Sequence, residues 1–280
     1  MRNNDERLGA KKQTASSATT QAGGLAPLEF VRPVTVMTLP SRGEFYPEAH
    51  PLHNQETIEI RQMTTAEEDI LTNRTLLQNG TALDKFLERI LTDSRIGPED
   101  LLIGDKNAIL IQARIDGYGS DYTTQVVCPN CQAKQRFTFN LEDSYSESTL
   151  STSPVVTATE RGTFLLTIDN GWEVEFRALT GLDENKFSKI AENKRKAGLA
   201  STPIQDQLNA MIVSVSGHED TATIVKAVQH MTGKQSRAIR EAYTSVIPSV
   251  ELKSEFSCGS CGTTTEMEVP FTADFFWART

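Results

Sequence analysis

Two matched cysteine pairs, Cys128-Pro129-Asn130-Cys131 and Cys258-Gly259-Ser260-Cys261, hold all four cysteines of this 280-residue chain. A CxxC turn aims two thiolates at one point, and two such knuckles supply the four soft ligands of a tetrahedral zinc site. Pro-Asn and Gly-Ser, the residues inside the pairs, both favour turns. Between the pairs lie 126 residues, so one shared ion would clasp distant segments of the fold. Each knuckle is flanked by β-like runs, Tyr122–Val127 and Gln135–Phe139 at the first, Leu252–Phe256 and Thr264–Val269 at the second. They alternate with period two or are rich in β-branched and aromatic residues. Two hairpins that turn through CxxC describe a zinc ribbon, with Cys128, Cys131, Cys258 and Cys261 as the metal ligands. Disulfides or a redox role are the competing readings, but a thioredoxin-like motif wants a strand-to-helix context. Four thiolates leave no open position for water, so the expected zinc is structural rather than catalytic.

The remaining composition bounds the function. Lys and Arg number 28 against 37 Asp and Glu, for a net charge of −9. That balance disfavours a general binder of phosphate backbones, so no nucleic-acid partner is expected. No apolar run approaches the roughly 18–20 residues of a membrane span, and no secretory-type segment opens the chain. A cytoplasmic origin, with thiols reduced and free to bind metal, is expected.

Along the chain, residues 1–24 are rich in Ala, Thr, Ser, Gly and Gln and read as a flexible arm, since they cannot bury enough apolar surface to offset their ordering entropy. Residues 25–120 read as a strand and helix domain. It opens with a strand at Val34–Leu39, a Pro- and Gly-rich loop at Pro40–Pro47, and a strand at Glu56–Arg61. Thr64 with Glu67, or Thr65 with Glu68, offers a capping box for a helix running to about Leu77. Helices follow at about Ala82–Leu91 and Ala108–Ile115, the latter ending at Gly117-Tyr118-Gly119. Residues 121–142 and 250–270 form the two zinc hairpins. The Ser/Thr-rich acidic stretch from Leu141 to about Ser153 reads as a mobile linker. Residues 155–248 read as an inserted domain, with a hairpin turning at Asn170-Gly171 and helices over Asp183–Lys196, Ile204–Val215, Asp220–Met231 and Lys234–Val246. An aromatic tail, 271–280, ends the chain. Glu59–Glu68 also aligns with Glu175–Glu184, each a strand leading through an Arg and a Thr into an acidic helix start. The fold class is therefore α+β, with mixed helical domains, short β-hairpins and a four-cysteine element joining distant segments.

No catalytic constellation emerges. His50 and His53 lie in a Pro-bounded loop without an evident third ligand, and GxSxG, HExxH, GxxxxGK[ST] and GxGxxG are all absent. Lys194-Arg195-Lys196 reads as a helix C-terminal charge cluster. The acidic triplet Glu67-Glu68-Asp69 reads as a cap.

Leu39-Pro-Ser-Arg-Gly-Glu-Phe-Tyr46, Thr65-Ala-Glu-Glu-Asp-Ile-Leu-Thr-Asn73, Gly104-Asp-Lys-Asn-Ala108 with Gly117-Tyr-Gly119, and Cys128-Pro-Asn-Cys131 stand in that order, with Pro270-Phe-Thr-Ala-Asp-Phe-Phe-Trp277 near the end. Together they resemble the T4-type bacteriophage baseplate protein family, over about residues 34–277. The resemblance implies a non-enzymatic component of a contractile-tail baseplate, in hub or wedge, present in several copies per particle. Its expected partners are other phage baseplate and tail proteins, with no membrane, and its expected place is the virion tail after assembly in the host cytoplasm. The N-terminal arm and the helical insert are departures from the family's pattern. They keep open an assembly chaperone absent from the finished virion. A zinc-ribbon regulator that binds nucleic acid is a third reading, resting on the cysteines alone.

Overall fold

A computed structural model describes residues 31–147, 156–270 and 273–276. The expected arm at 1–24 lies outside these residues, as do 148–155 and most of the C-terminal tail.

Strand β1 (Val34–Thr38) pairs antiparallel with β2 (Thr57–Arg61), and the loop between them is the Pro- and Gly-rich segment. Gly43 holds it closed at φ +76°, where an added Cβ would lie 2.4 Å from Gln55 N and Leu52 O, so only glycine fits. Thr64 then caps α1 (Thr65–Thr72). The helix expected to continue to Leu77 is two helices. Asn73 takes an extended ψ of 111°, and its side chain accepts from the Thr75 and Leu76 amides to start α2 (Arg74–Gln78). Next come α3 (Ala82–Ile90) and α4 (Ile103–Tyr118). The latter extends beyond the expected Ala108–Ile115 at both ends, and Gly104 in its first turn lets the backbone of Pro248 approach where a Cβ would clash at 2.3 Å.

The first cysteine hairpin is β3 (Asp121–Val127) with β4 (Lys134–Asn140). The beginning of the expected linker is ordered. Asn140 accepts from the amides of Glu142 and Asp143 to start α5 (Leu141–Ser144), and β5 (Tyr145–Glu147) follows. A four-stranded antiparallel sheet then forms in the order β6 (Val156–Ala158), β7 (Phe164–Thr167), β8 (Glu173–Phe176) and a later strand, β9. Helix α6 (Gly181–Lys196) leads to α7 (Pro203–Met211). The helix expected over Ile204–Val215 stops at Met211, and Ile212–Val215 is β9. Ile-Val-Ser-Val is a β-branched run, and the exposed edge of β8 recruits it. Helices α8 (Thr221–His230) and α9 (Gly233–Val246) precede the second cysteine hairpin, β10 (Val250–Ser257) with β11 (Thr264–Glu268). Strand β10 also pairs with β5.

The aligned segments adopt the same local structure. Thr64 (φ −118°, ψ 176°) and Thr180 (φ −113°, ψ 171°) open α1 and α6 through capping boxes closed by Glu67 and Asp183. Both carboxylates are buried. Glu67 Oε2 accepts from Thr64 N–H at 3.0 Å and pairs with Arg32 at 2.8 Å, whereas Asp183 accepts from Thr180 N–H at 3.0 Å and takes a two-pronged pair from Arg177 at 2.8 and 2.9 Å.

Helix α4 gathers the rest. Asp105 is buried; its Oδ1 accepts from Ser41 N–H (2.9 Å) and its Oδ2 from the hydroxyls of Ser41 (2.5 Å) and Tyr46 (2.8 Å). Next to it, Lys106 pairs with Asp84 of α3 and Glu184 of α6, each at 2.8 Å. Arg114, 1% exposed, donates to the carbonyls of Phe275 (3.0 Å), Gly119 (2.8 Å) and Asp121 (3.1 Å). One hydrophobic core runs from Leu39 to Phe276 through these contacts.

Candidate metal centre

The two knuckles are built alike from their backbones up. At the first, Cys128 N–H donates to Ala133 O and Gln132 N–H to Cys128 O, at 2.9 and 3.0 Å; at the second, Cys258 N–H donates to Thr263 O and Gly262 N–H to Cys258 O, both at 2.9 Å. Gln132 (φ +60°) and Gly262 (φ +69°) occupy the same left-handed position. Each turn therefore points its cysteine sulfurs off the end of its hairpin.

The two ends meet. The four Sγ atoms lie within 4.8 Å of one another, with Cys128–Cys261 at 3.8 Å and Cys131–Cys258 at 3.7 Å. A tetrahedron with metal–sulfur bonds of ~2.3 Å has edges of about 3.8 Å, so this spacing suits a central ion. It is far beyond the ~2.05 Å of a disulfide, and all four cysteines are free. Cys128 and Cys258 are buried, and Cys131 and Cys261 are exposed. Among the described residues, this is the one group of His, Cys, Asp or Glu placed to share a metal ion.

The thiols are electrostatically uneven. Cys261 is drawn down to about 6, first by the Thr263 hydroxyl and then by the Thr263 amide. The Ala133 amide also favours a Cys131 thiolate, but hydrogen bonding to the neighbouring thiols outweighs it and pushes Cys131 up to about 12. Crowded sulfurs thus resist losing their protons together, and a dication at their centre would relieve that repulsion.

Side chains other than the cysteines tie the hairpins together. Asn130 Nδ2 donates to Thr263 Oγ1 at 2.9 Å across the interface, and Gln135 both donates to Ser257 O (3.2 Å) and accepts from Gly259 N–H (3.0 Å). Beneath the sulfurs, Phe137 packs edge-on against Phe256, with ring centres 5.2 Å apart. Sequence reasoning missed Asn130, Gln135 and Thr263 as partners. The only signal was the position of Asn130 inside a knuckle.

The two histidines are not drawn into a metal site. His50 stacks on Tyr46 with ring centres 4.5 Å apart and accepts from Leu52 N–H, while His53 Nδ1 lies 2.7 Å from Tyr46 O. Lys194 of the basic cluster is held by Asp206 at 2.7 Å.

Compared with known proteins, residues 33–277 match the family described as T4 bacteriophage base plate protein. The chain belongs to this family. No curated protein and no solved structure matches it. The family match spans both cysteine pairs, the Ser41–Tyr46–Asp105 network and both capped strand-to-helix units. In this baseplate-family chain the motifs that looked separate in sequence are therefore parts of one scaffold: the Pro40–Pro47 loop is bound to α4, and α4 to α3, α6 and the C-terminal segment. Such a family implies a place in the virion tail and suggests a structural, non-enzymatic role. Among the described residues no helix is long and apolar enough to cross a membrane.

Proposed function

We propose that this chain is a non-enzymatic structural subunit of a contractile-tail baseplate, in hub or wedge, that binds other tail proteins and is built into the particle in several copies. The observation that carries this reading is the family match over residues 33–277. Its polar clusters support it. Asp105, Lys106, Arg114, Glu67 and Asp183 are each engaged with other parts of the fold, so their chemistry serves the scaffold rather than a substrate. Cys128, Cys131, Cys258 and Cys261 hold one structural zinc in this reading, favoured by sulfur spacings near a tetrahedral edge. Four sulfurs complete the coordination, so the ion clasps the two hairpins and offers no position for a reacting water.

Mass spectrometry of purified particles tests the proposal. A built-in subunit should be found in the finished baseplate at a stoichiometry matching other baseplate components. Detection in infected cells but not in purified particles would replace this reading with that of an assembly chaperone.

A further inference from the structure

Two strand edges are open beside each other. Among the described residues β1 has β2 as its one strand neighbour and β5 has β10, and both line one groove of about 360 Å³. Ala108, Ile111 and Ile115 of α4 form its apolar floor. Backbone alternation decides which groups face outward. Gln62 N–H donates to Pro33 O and Leu39 N–H to Glu56 O, so Thr35 and Met37 between them also turn toward β2. Val34, Val36 and Thr38 then turn their N–H and C=O groups away from it. On the other side Val269 N–H donates to Leu252 O, so Glu251 faces Ser146 across the β10–β5 pair, and Tyr145 and Glu147 present their backbones outward.

The groove has one sign of charge. Its charged lining side chains are Glu142 and Glu147, with no Lys or Arg among them. On α4, Gln112 donates to Asp116 Oδ1 at 2.8 Å, leaving Asp116 Oδ2 buried with no hydrogen-bond partner. Gln112 itself lines the groove, and Asp116 lies one helical turn beyond it on the same side of the helix. Val34 and Val36 remain 48% and 61% exposed. An unpaired edge with exposed valines and no protecting lysine is a template for strand addition.

We propose that this groove takes an extended segment of a neighbouring protein, which adds as a strand along β1 with apolar side chains over α4 and Lys or Arg side chains against Glu142 and Glu147. The charge complementarity sets the partner's chemistry. It also disfavours a second copy of this chain, whose net charge is −9. The inference goes beyond the baseplate reading and rests on it only for where such a neighbour is met, so the purified protein tests the groove separately.

The probe is a labelled synthetic peptide, acetyl-Lys-Val-Thr-Val-Lys-Val-Thr-Lys-amide, titrated into the full chain by fluorescence anisotropy, with hydrogen exchange read over residues 34–38. Binding should protect those amides and weaken with salt. Val36→Pro removes one outward N–H at a position where an edge strand tolerates proline. It should weaken binding roughly tenfold or more, as should N-methylation of the peptide's alternate amides. Glu142→Gln with Glu147→Gln should weaken it several-fold and reduce the salt dependence. The methylated peptide needs no variant protein, so it decides the question even if Val36→Pro folds poorly. The proposal is overturned by no binding below ~1 mM, by equal binding of the methylated peptide, or by equal binding of a peptide with Glu in place of Lys.

Discussion

At the scale of single residues, the carboxylates decide how this protein responds to acid. Burial alone would raise Glu67, but the Thr64 hydroxyl and amide and the Arg32 guanidinium hold it below the ordinary glutamate range. Asp183 is likewise held down, with Arg177 and the Thr180 amide outweighing its burial. A folded-state pKa below the unfolded one contributes stability that is present above the ordinary carboxylate pKa and lost as pH falls through the folded value. Denaturant unfolding at a series of pH values should therefore show stability declining below about pH 5. Glu67→Gln should lower stability near neutral pH by about 2–3 kcal/mol, since it leaves Arg32 without its anion, and should flatten part of the acid decline. Asp105 has the opposite sign. Burial, the largest cause, raises it despite the hydroxyl and amide donors of Ser41 and the Tyr46 hydroxyl. Its own contribution thus falls as pH rises from the ordinary aspartate value through the raised one.

At the scale of elements, α4 joins parts that sequence places far apart. Asp105→Ala would strand the Ser41 amide and the hydroxyls of Ser41 and Tyr46 in a buried site. A loss of about 3–5 kcal/mol is expected in equilibrium unfolding, with the Pro40–Pro47 loop becoming the first segment to exchange its amides. These contacts also mark what was legible beforehand. The cysteine hairpins, the capping boxes and the Asn-Gly turn could be read because each signal lies within a few residues of chain. The pairs Ser41–Asp105, Lys106–Glu184 and Arg114–Phe275, separated by 64, 78 and 161 residues, leave no local trace. Strand β9 reads as helix in sequence for a related reason: its apolar spacing suits either period, and pairing with β8, distant in sequence, makes the choice. At Leu141–Glu147 the polar composition suggested a linker, yet Asn140 as a cap and β10 as a pairing partner order it.

At the scale of the whole molecule, the knuckles bring cysteines 133 and 127 positions apart in sequence into one cluster, joining the chain's middle to its C-terminal hairpin. A metal there acts on both hairpins at once. Cys258→Ser should accordingly raise hydrogen exchange not only in β10 and β11 but also in β3 and β4, because losing one ligand weakens the whole clasp. Loss confined to the second hairpin would contradict a shared ion. The family match supplies the setting in a phage tail, and the proposed metal at the sulfur cluster would supply the means by which the subunit keeps its shape there. The most direct test is elemental analysis of the full chain purified without chelator, combined with a thiol count. About one zinc per chain is expected, with four thiols that become reactive only when a strong chelator removes it. No bound metal alongside four freely reactive thiols would contradict it.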